Sequence, residues 1–150
     1  MTKISQKCQY ALRMIHELAK RRFSGPIPVS SIADAQAIPP RFLELIVKEL
    51  RHAGIVKSRR GAHGGYELLA DPKTLTVGEI IRMFDGPITP VDCDGCGGSR
   101  RCPLKGQCVF AETWNLARDA AASIYDATTF EELLERERKA SGPKAITYHI

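Results

Sequence analysis

The sequence predicts a mainly α chain with one small β-hairpin, arranged as a winged helix–turn–helix followed by a long C-terminal helix. Three observations carry that reading. Helix signals succeed one another between residues 3 and 54, each closed by a glycine or proline. A glycine-rich stretch, Arg60-Gly-Ala-His-Gly-Gly, then separates two short strand-like runs. Helical periodicity returns near Val109, after a loop rich in cysteine.

In the first helix, residues 3–22, the apolar positions Ile4, Cys8, Ala11, Leu12, Ile15, Leu18 and Ala19 make one inward stripe. Phe23-Ser-Gly-Pro-Ile-Pro breaks it. Ser30 or Ser31 is expected to cap a short second helix reaching about Ala37. Pro39 and Pro40 suit the first turn of a third helix, where a missing N–H costs nothing. That helix runs to about His52 and stops at Gly54. Phe42, Leu43, Ile46, Val47 and Leu50 face inward, while Arg41, Glu44, Lys48 and Arg51 form the opposite stripe with Leu45 among them. Residues 55–59 and 66–69 are the two strands of the hairpin. Residues 75–85 read as a further short helix closed by Gly86. The long helix after Val109 carries Phe110, Trp114, Ala117, Ala121 and Ile124 on one face. Thr128 and Glu131 have the spacing of a capping box for a last helix, 130–140.

An apolar share of 43% supports a core without disulfide staples. The net charge of +5 allows a polyanionic partner, and its distribution sharpens the point. Arg41, Lys48, Arg51, Lys57, Arg59 and Arg60 crowd into residues 41–60 against only Glu44 and Glu49, whereas 128–137 is acidic. No stretch reaches the ~18 apolar residues of a membrane span, so no membrane partner is expected. The first residues lack the apolar region of a signal peptide, and a cytoplasmic chain is expected. Nothing orders Ser, His and Asp into a nucleophile with its base, so no enzyme is expected.

A recognition helix presents its N-terminal residues to base edges in the major groove of double-stranded DNA. Arg41 and Glu44 hold those positions, suited to guanine and to cytosine N4 respectively, and Leu45 is placed for a thymine methyl. Lys48, Arg51 and the amides near Ser30 suit phosphates. In the wing, Arg59, Arg60, Gly61 and His63 are candidates for the minor groove, where glycine removes bulk.

Four cysteines fall within residues 93–108, in the order Cys93-x2-Cys96-x5-Cys102-x5-Cys108. Clustered thiolates select zinc, copper(I) or an iron–sulfur cluster, and a thiol–disulfide switch is a further reading. Only Cys93 and Cys96 have the spacing of a zinc pair. The wider gaps to Cys102 and Cys108 suit a larger inorganic core. Cys8 sits on the apolar stripe and reads first as a core residue.

With these segments in place the chain resembles the IscR/NsrR family of bacterial winged-helix regulators, often called the Rrf-two type. Gln9-Tyr-Ala-Leu-Arg13, Ile38-Pro-Pro-Arg-Phe-Leu-Glu44, the segment from Gly54 to Tyr66, Leu75-Thr-Val-Gly-Glu-Ile and the triple-cysteine spacing carry the likeness, over roughly residues 3–135. The resemblance implies a homodimer in which the long helix crosses its partner, so that Phe110, Trp114, Ala117, Ala121 and Ile124 become dimer-contact or core residues. It also implies an iron–sulfur cluster on Cys96, Cys102 and Cys108, with 2Fe–2S favoured over 4Fe–4S, and Glu44 and Arg60 as DNA contacts. Some relatives take a fourth ligand from a histidine three residues past the last cysteine, where this chain has Ala111. Others take an acidic residue at the position of Gln9. Cys93 is the first candidate here and Cys8 of the other subunit the second.

The resulting division is a DNA-binding unit at 1–86, a cluster loop at 87–108, dimerisation helices at 109–140 and a loose tail at 141–150. The expected function is a transcription regulator whose DNA affinity follows a cluster that senses redox state, nitric oxide or iron supply. Two alternatives stand beside it. One is a winged-helix regulator that works through thiols, zinc or a metabolite, and the other is a small iron–sulfur electron carrier.

Overall fold

The computed structural model describes residues 3–93 and 100–142. In chain order it forms α1 (Gln6–Lys20), α2 (Val29–Gln36), α3 (Pro40–His52), β1 (Val56–Arg59), β2 (Gly65–Leu68), α4 (Val77–Asp85), α5 (Ala111–Ala127) and α6 (Phe130–Ala140). Among the described residues no helix is long and apolar enough to cross a membrane.

Ser5 caps α1, its hydroxyl accepting from the Cys8 amide, and Cys8, Ala11, Met14, Ile15, Leu18 and Ala19 are buried. From this broad face α1 packs against α2, α3, α4, α6 and β2. Ile32 of α2, Leu43, Ile46 and Leu50 of α3, Ile80 of α4 and Phe130 of α6 complete one continuous core. Among the described residues Glu17 is the one charged residue inside it, held by Arg21 Nε at 2.6 Å and by the Gln36 amide at 2.9 Å. Those two donors offset the desolvation of its carboxylate and fasten α1 to the end of α2. Arg13 reinforces that join by donating to the Gln36 carbonyl oxygen.

Two expected caps fall elsewhere. Residue 28, a proline with φ preset to −61°, is the N-cap of α2 and no side chain caps it, so Ser30 and Ser31 lie inside the first turn. At the other end the cap of α6 is Thr129, which accepts from the Glu132 amide, and not Thr128. The reason is a backbone join: Val77 donates to the Thr128 carbonyl at 2.9 Å, and Thr76 bridges Thr129, which keeps Thr128 extended. Thr76 is itself the cap of α4, in a reciprocal capping box with Glu79.

The hairpin pairs Val56 with Leu68, Lys57 with Glu67, Ser58 with Tyr66 and Arg59 with Gly65. Ile27 adds a one-residue third strand through two bonds of 2.9 Å to Tyr66. That strand approaches so closely that a Cβ on Gly65 would lie 2.4 Å from the Ile27 carbonyl carbon. A second close approach joins α4 to α5. Arg82 forks onto Asp126 at 2.6 and 2.8 Å, and a Cβ on Gly78 would meet the Asp126 carboxylate.

α6 returns to the N-terminal core. Phe130 is fully buried, and Glu137 reaches Lys20 at 2.8 Å and His16 at 3.0 Å on α1.

Gly65→Ala is expected to lower stability by about 2 kcal/mol, because the added methyl meets backbone that has no rotamer to change. Urea unfolding monitored by circular dichroism measures this. An unchanged midpoint would show that the Ile27 strand yields freely.

Candidate nucleic-acid interface and cysteine loop

α3 opens with Pro39 as its N-cap and Pro40 at its first helical position, and Leu43, Ile46, Val47 and Leu50 hold one side against the core. Arg41, Glu44, Leu45, Lys48 and Arg51 consequently stand exposed on the other, with Leu45 57% exposed despite being apolar. His52 is exposed on the same stripe, one turn beyond Lys48, and was not among the expected contacts. Edge contact between Phe42 and Tyr10, centroids 5.9 Å apart, and a 2.6 Å ion pair from Lys7 to Glu49 fix α3 against α1.

At the wing Arg59, Arg60, Gly61 and His63 are all exposed, and Gly61 turns the chain with φ of 120°. Ser30 is exposed in the first turn of α2. Glu67 was not foreseen. From β2 it pairs with Lys57 at 3.0 Å and stands 4.0 Å from Arg59, so it restrains two wing cations. Counting outward from the glycine tip would have placed Lys57 opposite Glu67.

Lys7, Lys20, Arg21, Arg22, Arg82 and Arg136 each meet a carboxylate. Arg41, Lys48, Arg51 and Arg60 have no carboxylate partner among the described residues, and Arg41 lies only over the ring of Phe42. These four leave unneutralised positive charge on the outward side of α3 and at the wing tip, as Lys3, Lys73, Arg101, Arg138 and Lys139 do elsewhere on the described surface.

In the loop, Cys93, Cys102 and Cys108 are partly exposed, and Cys96 lies outside the described residues. Arg100 pairs with Asp92 at 3.3 Å and draws the two described arms of the loop together. Among the described residues no three His, Cys, Asp or Glu side chains form a metal-holding group. The donor set is all thiol, which is the chemistry that soft metals and iron–sulfur clusters take. Ala111 begins α5, and Gln9 spends its amide on the Ile4 carbonyl oxygen at 2.8 Å.

Cys8 is fully buried, with its Sγ 4.0 Å from the Ile80 carbonyl oxygen. Burial, helped by the Asp85 carboxylate, pushes its thiol from 9.0 up to about 12. This thiol stays protonated at neutral pH.

The apolar stripe expected on α5 is divided. Ala117 and Ala121 line a groove with Gln9, Ile81 and Ile88, while Phe110 and Ile124 are 59% and 66% exposed. Trp114 is half-buried and rests on Phe110, ring centroids 6.1 Å apart. Val109 and Leu116, at 85% and 64% exposure, extend the outward face and were missed in the sequence. No residue of α5 is buried.

Comparison with known proteins follows this geometry. Residues 4–136 match the model of the Rrf2 family, described as an iron-dependent transcriptional regulator. The HTH-type transcriptional regulator CymR of Bacillus subtilis is 42% identical over 131 residues, 87% of this chain and 88% of that protein. The structure of CymR (YrzC), described as the global cysteine regulator of B. subtilis, superposes with a TM-score of 0.75 at 41% identity, over 91% of this chain and 98% of that one. T. potens IscR superposes with a TM-score of 0.78 at 29% identity, over 98% and 96% of the two chains.

For a thiol raised on folding, stability is full below the unfolded value and is lost as pH climbs through the folded one. Stability should therefore fall between pH 9.0 and about 12, and Cys8→Ala should flatten that fall. In the folded, cluster-free protein at pH 8 iodoacetamide should label Cys102 and Cys108 and spare Cys8, as read by peptide mass mapping. Rapid labelling of Cys8 would contradict its burial.

Proposed function

This chain belongs to the Rrf2 family of transcriptional regulators, a family that binds DNA, and on that premise we propose a homodimer whose operator affinity is set by an iron–sulfur cluster. The observation that carries the DNA half is the row of exposed cations Arg41, Lys48 and Arg51 along the outward side of α3, with Arg60 at the wing tip, where phosphates are their natural counter-ions. Arg41 and Glu44 read base edges in this proposal, and Leu45 meets a thymine methyl. Lys48, Arg51 and the amides near Ser30 hold phosphates, and Arg59, Arg60, Gly61 and His63 approach the minor groove.

Cys96, Cys102 and Cys108 would hold the cluster, with Cys93 as fourth ligand. The all-thiol donor set, the Asp92–Arg100 pair across the loop, the iron-dependent description of the family and the likeness to IscR support this assignment. Cys8 is left out because it is fully buried in the core of its own protomer, against the Ile80 carbonyl oxygen. When bound, the cluster supplies chemistry that responds to redox state, nitric oxide or iron supply, and 2Fe–2S remains the favoured form. The loop joins α4 to α5, and α4 rests on α1 through Ile80 and through Asp85, which accepts from the Ser5 amide at 2.8 Å. Any rearrangement of the loop is thereby communicated toward the helix–turn–helix, shifting the balance between DNA-competent and incompetent placements.

The likeness to CymR, described as a cysteine regulator, favours a second reading in which the same scaffold senses through thiols or a metabolite, without a cluster.

Anaerobic purification with absorption spectroscopy and iron and sulfide assays decides between them. The expected protein is brown, with matched iron and sulfide that Cys102→Ala or Cys108→Ala abolishes, and its operator affinity changes when the cluster is removed. A colourless protein with full DNA affinity would hand the site to the second reading.

The outward apolar face of α5 is proposed as the contact with a second copy, since nothing among the described residues covers Leu116 or Ile124. Leu116→Asp with Ile124→Asp should turn the dimer into a 16.6 kDa monomer in sedimentation. Persistence of the dimer would place the contact elsewhere.

A further inference from the structure

The join between α3 and β1 is short and braced. Ile55 donates to the Leu50 carbonyl at 2.9 Å, and its own carbonyl accepts from Leu69 at 2.8 Å and Ala70 at 3.2 Å. Gly54 turns the chain there with φ of 71°. A cleft opens at this corner, lined by Lys48, Arg51, His52, Lys57, Ser58 and Leu69. No carboxylate lines it. Glu67 steadies Lys57 from across the hairpin and uses one of its three N–H donors.

If α3 lies in a major groove while the wing tip reaches an adjacent minor groove, the backbone ridge between the two grooves has to cross the corner joining helix to wing. That corner is this cleft. A ridge of phosphates needs donors and positive charge at fixed positions. The cleft supplies lysine and arginine, an imidazole that donates an N–H in either protonation state, and a serine hydroxyl. Exposed Leu69 offers apolar surface for a deoxyribose.

We infer that the α3–β1 cleft is the seat of a DNA backbone phosphate, with His52, Lys57 and Ser58 as contacts additional to Lys48 and Arg51. The inference rests on the DNA-binding reading and locates where the duplex backbone crosses the protein. It separates the contacts by role, with the N-terminal half of α3 choosing sequence and the corner setting affinity and register.

The test uses the full-length protein and a duplex selected by that protein from a random-sequence library. Anisotropy titrations over a range of salt compare wild type with Lys57→Gln, His52→Gln and Ser58→Ala, singly and together. The triple variant should bind about tenfold more weakly or worse, as expected for losing charge-assisted bonds. Lys57→Gln alone should reduce the salt slope by about 0.9, the mark of one phosphate contact. The ratio of selected to scrambled duplex should stay constant in these variants, whereas Arg41→Ala should lower it. On wild-type protein, neutralising single phosphates as methylphosphonates should reveal one position whose penalty disappears in Lys57→Gln; this readout stands even if the triple variant does not fold. Unchanged affinity and slope would overturn the phosphate seat and leave the DNA reading intact. A changed selectivity ratio would overturn the backbone role in favour of base contact. Failure of the wild type to bind any duplex would remove the DNA reading itself.

Discussion

The burial of α1 on a broad face is the constraint on which the other elements depend. One helix meets α2, α3, α4 and α6, so each contact it makes limits the others. Polar groups at its margins aim the neighbours. Glu17 and Arg13 hold the end of α2, Lys7 holds α3, and His16 with Lys20 holds Glu137 of α6. Glu17 matters most among them, since a carboxylate this deeply buried is tolerated only with its partners in place. Changing it would leave α2, and with α2 the approach to α3, without a fixed angle.

The surface cations are not all used alike. Where the chain needs a helix held, cations meet carboxylates. On α3 and the tip of the wing they do not. Exposed ion pairs contribute little to stability, so pairing or leaving a surface arginine unpaired is nearly free for folding. The unpaired set can thus be reserved for a polyanion, and Glu67 marks the border by restraining Lys57 and reaching toward Arg59.

Much of this was legible in the sequence. The helices, the hairpin and the outward stripe of α3 follow from periodicity and from glycine and proline punctuation, which are local properties. The cap expected at Ser30 is taken two residues earlier by Pro28, whose extended backbone opens the helix, whereas the one expected at Thr128 depends on a backbone bond from Val77 across many residues. The return of α6 to α1 was hidden for the same reason, because Phe130 and Leu134 give an apolar stripe but no address. The division of the α5 stripe depends on where α4 lies beneath it. Gly65 is a further case: in the glycine-rich stretch after Arg60 it reads as part of a turn, and the structure spends its missing side chain on the approach of Ile27.

The fork of Arg82 onto Asp126, over the bare backbone of Gly78, has a consequence for the segment between the two helices. It clasps α4 to the far end of α5, so residues 86–110 form the greater part of a ring that the folding of one protomer has already closed. The entropy of closing that ring grows only with the logarithm of its length and is met by the packing of the folded protomer, to which the exposed Arg82–Asp126 pair adds little. Thiols within the ring therefore encounter one another at an effective concentration fixed by the ring, independent of how much protein is present. Partnerships among the loop cysteines of one chain are favoured over partnerships between chains, whatever those cysteines take up.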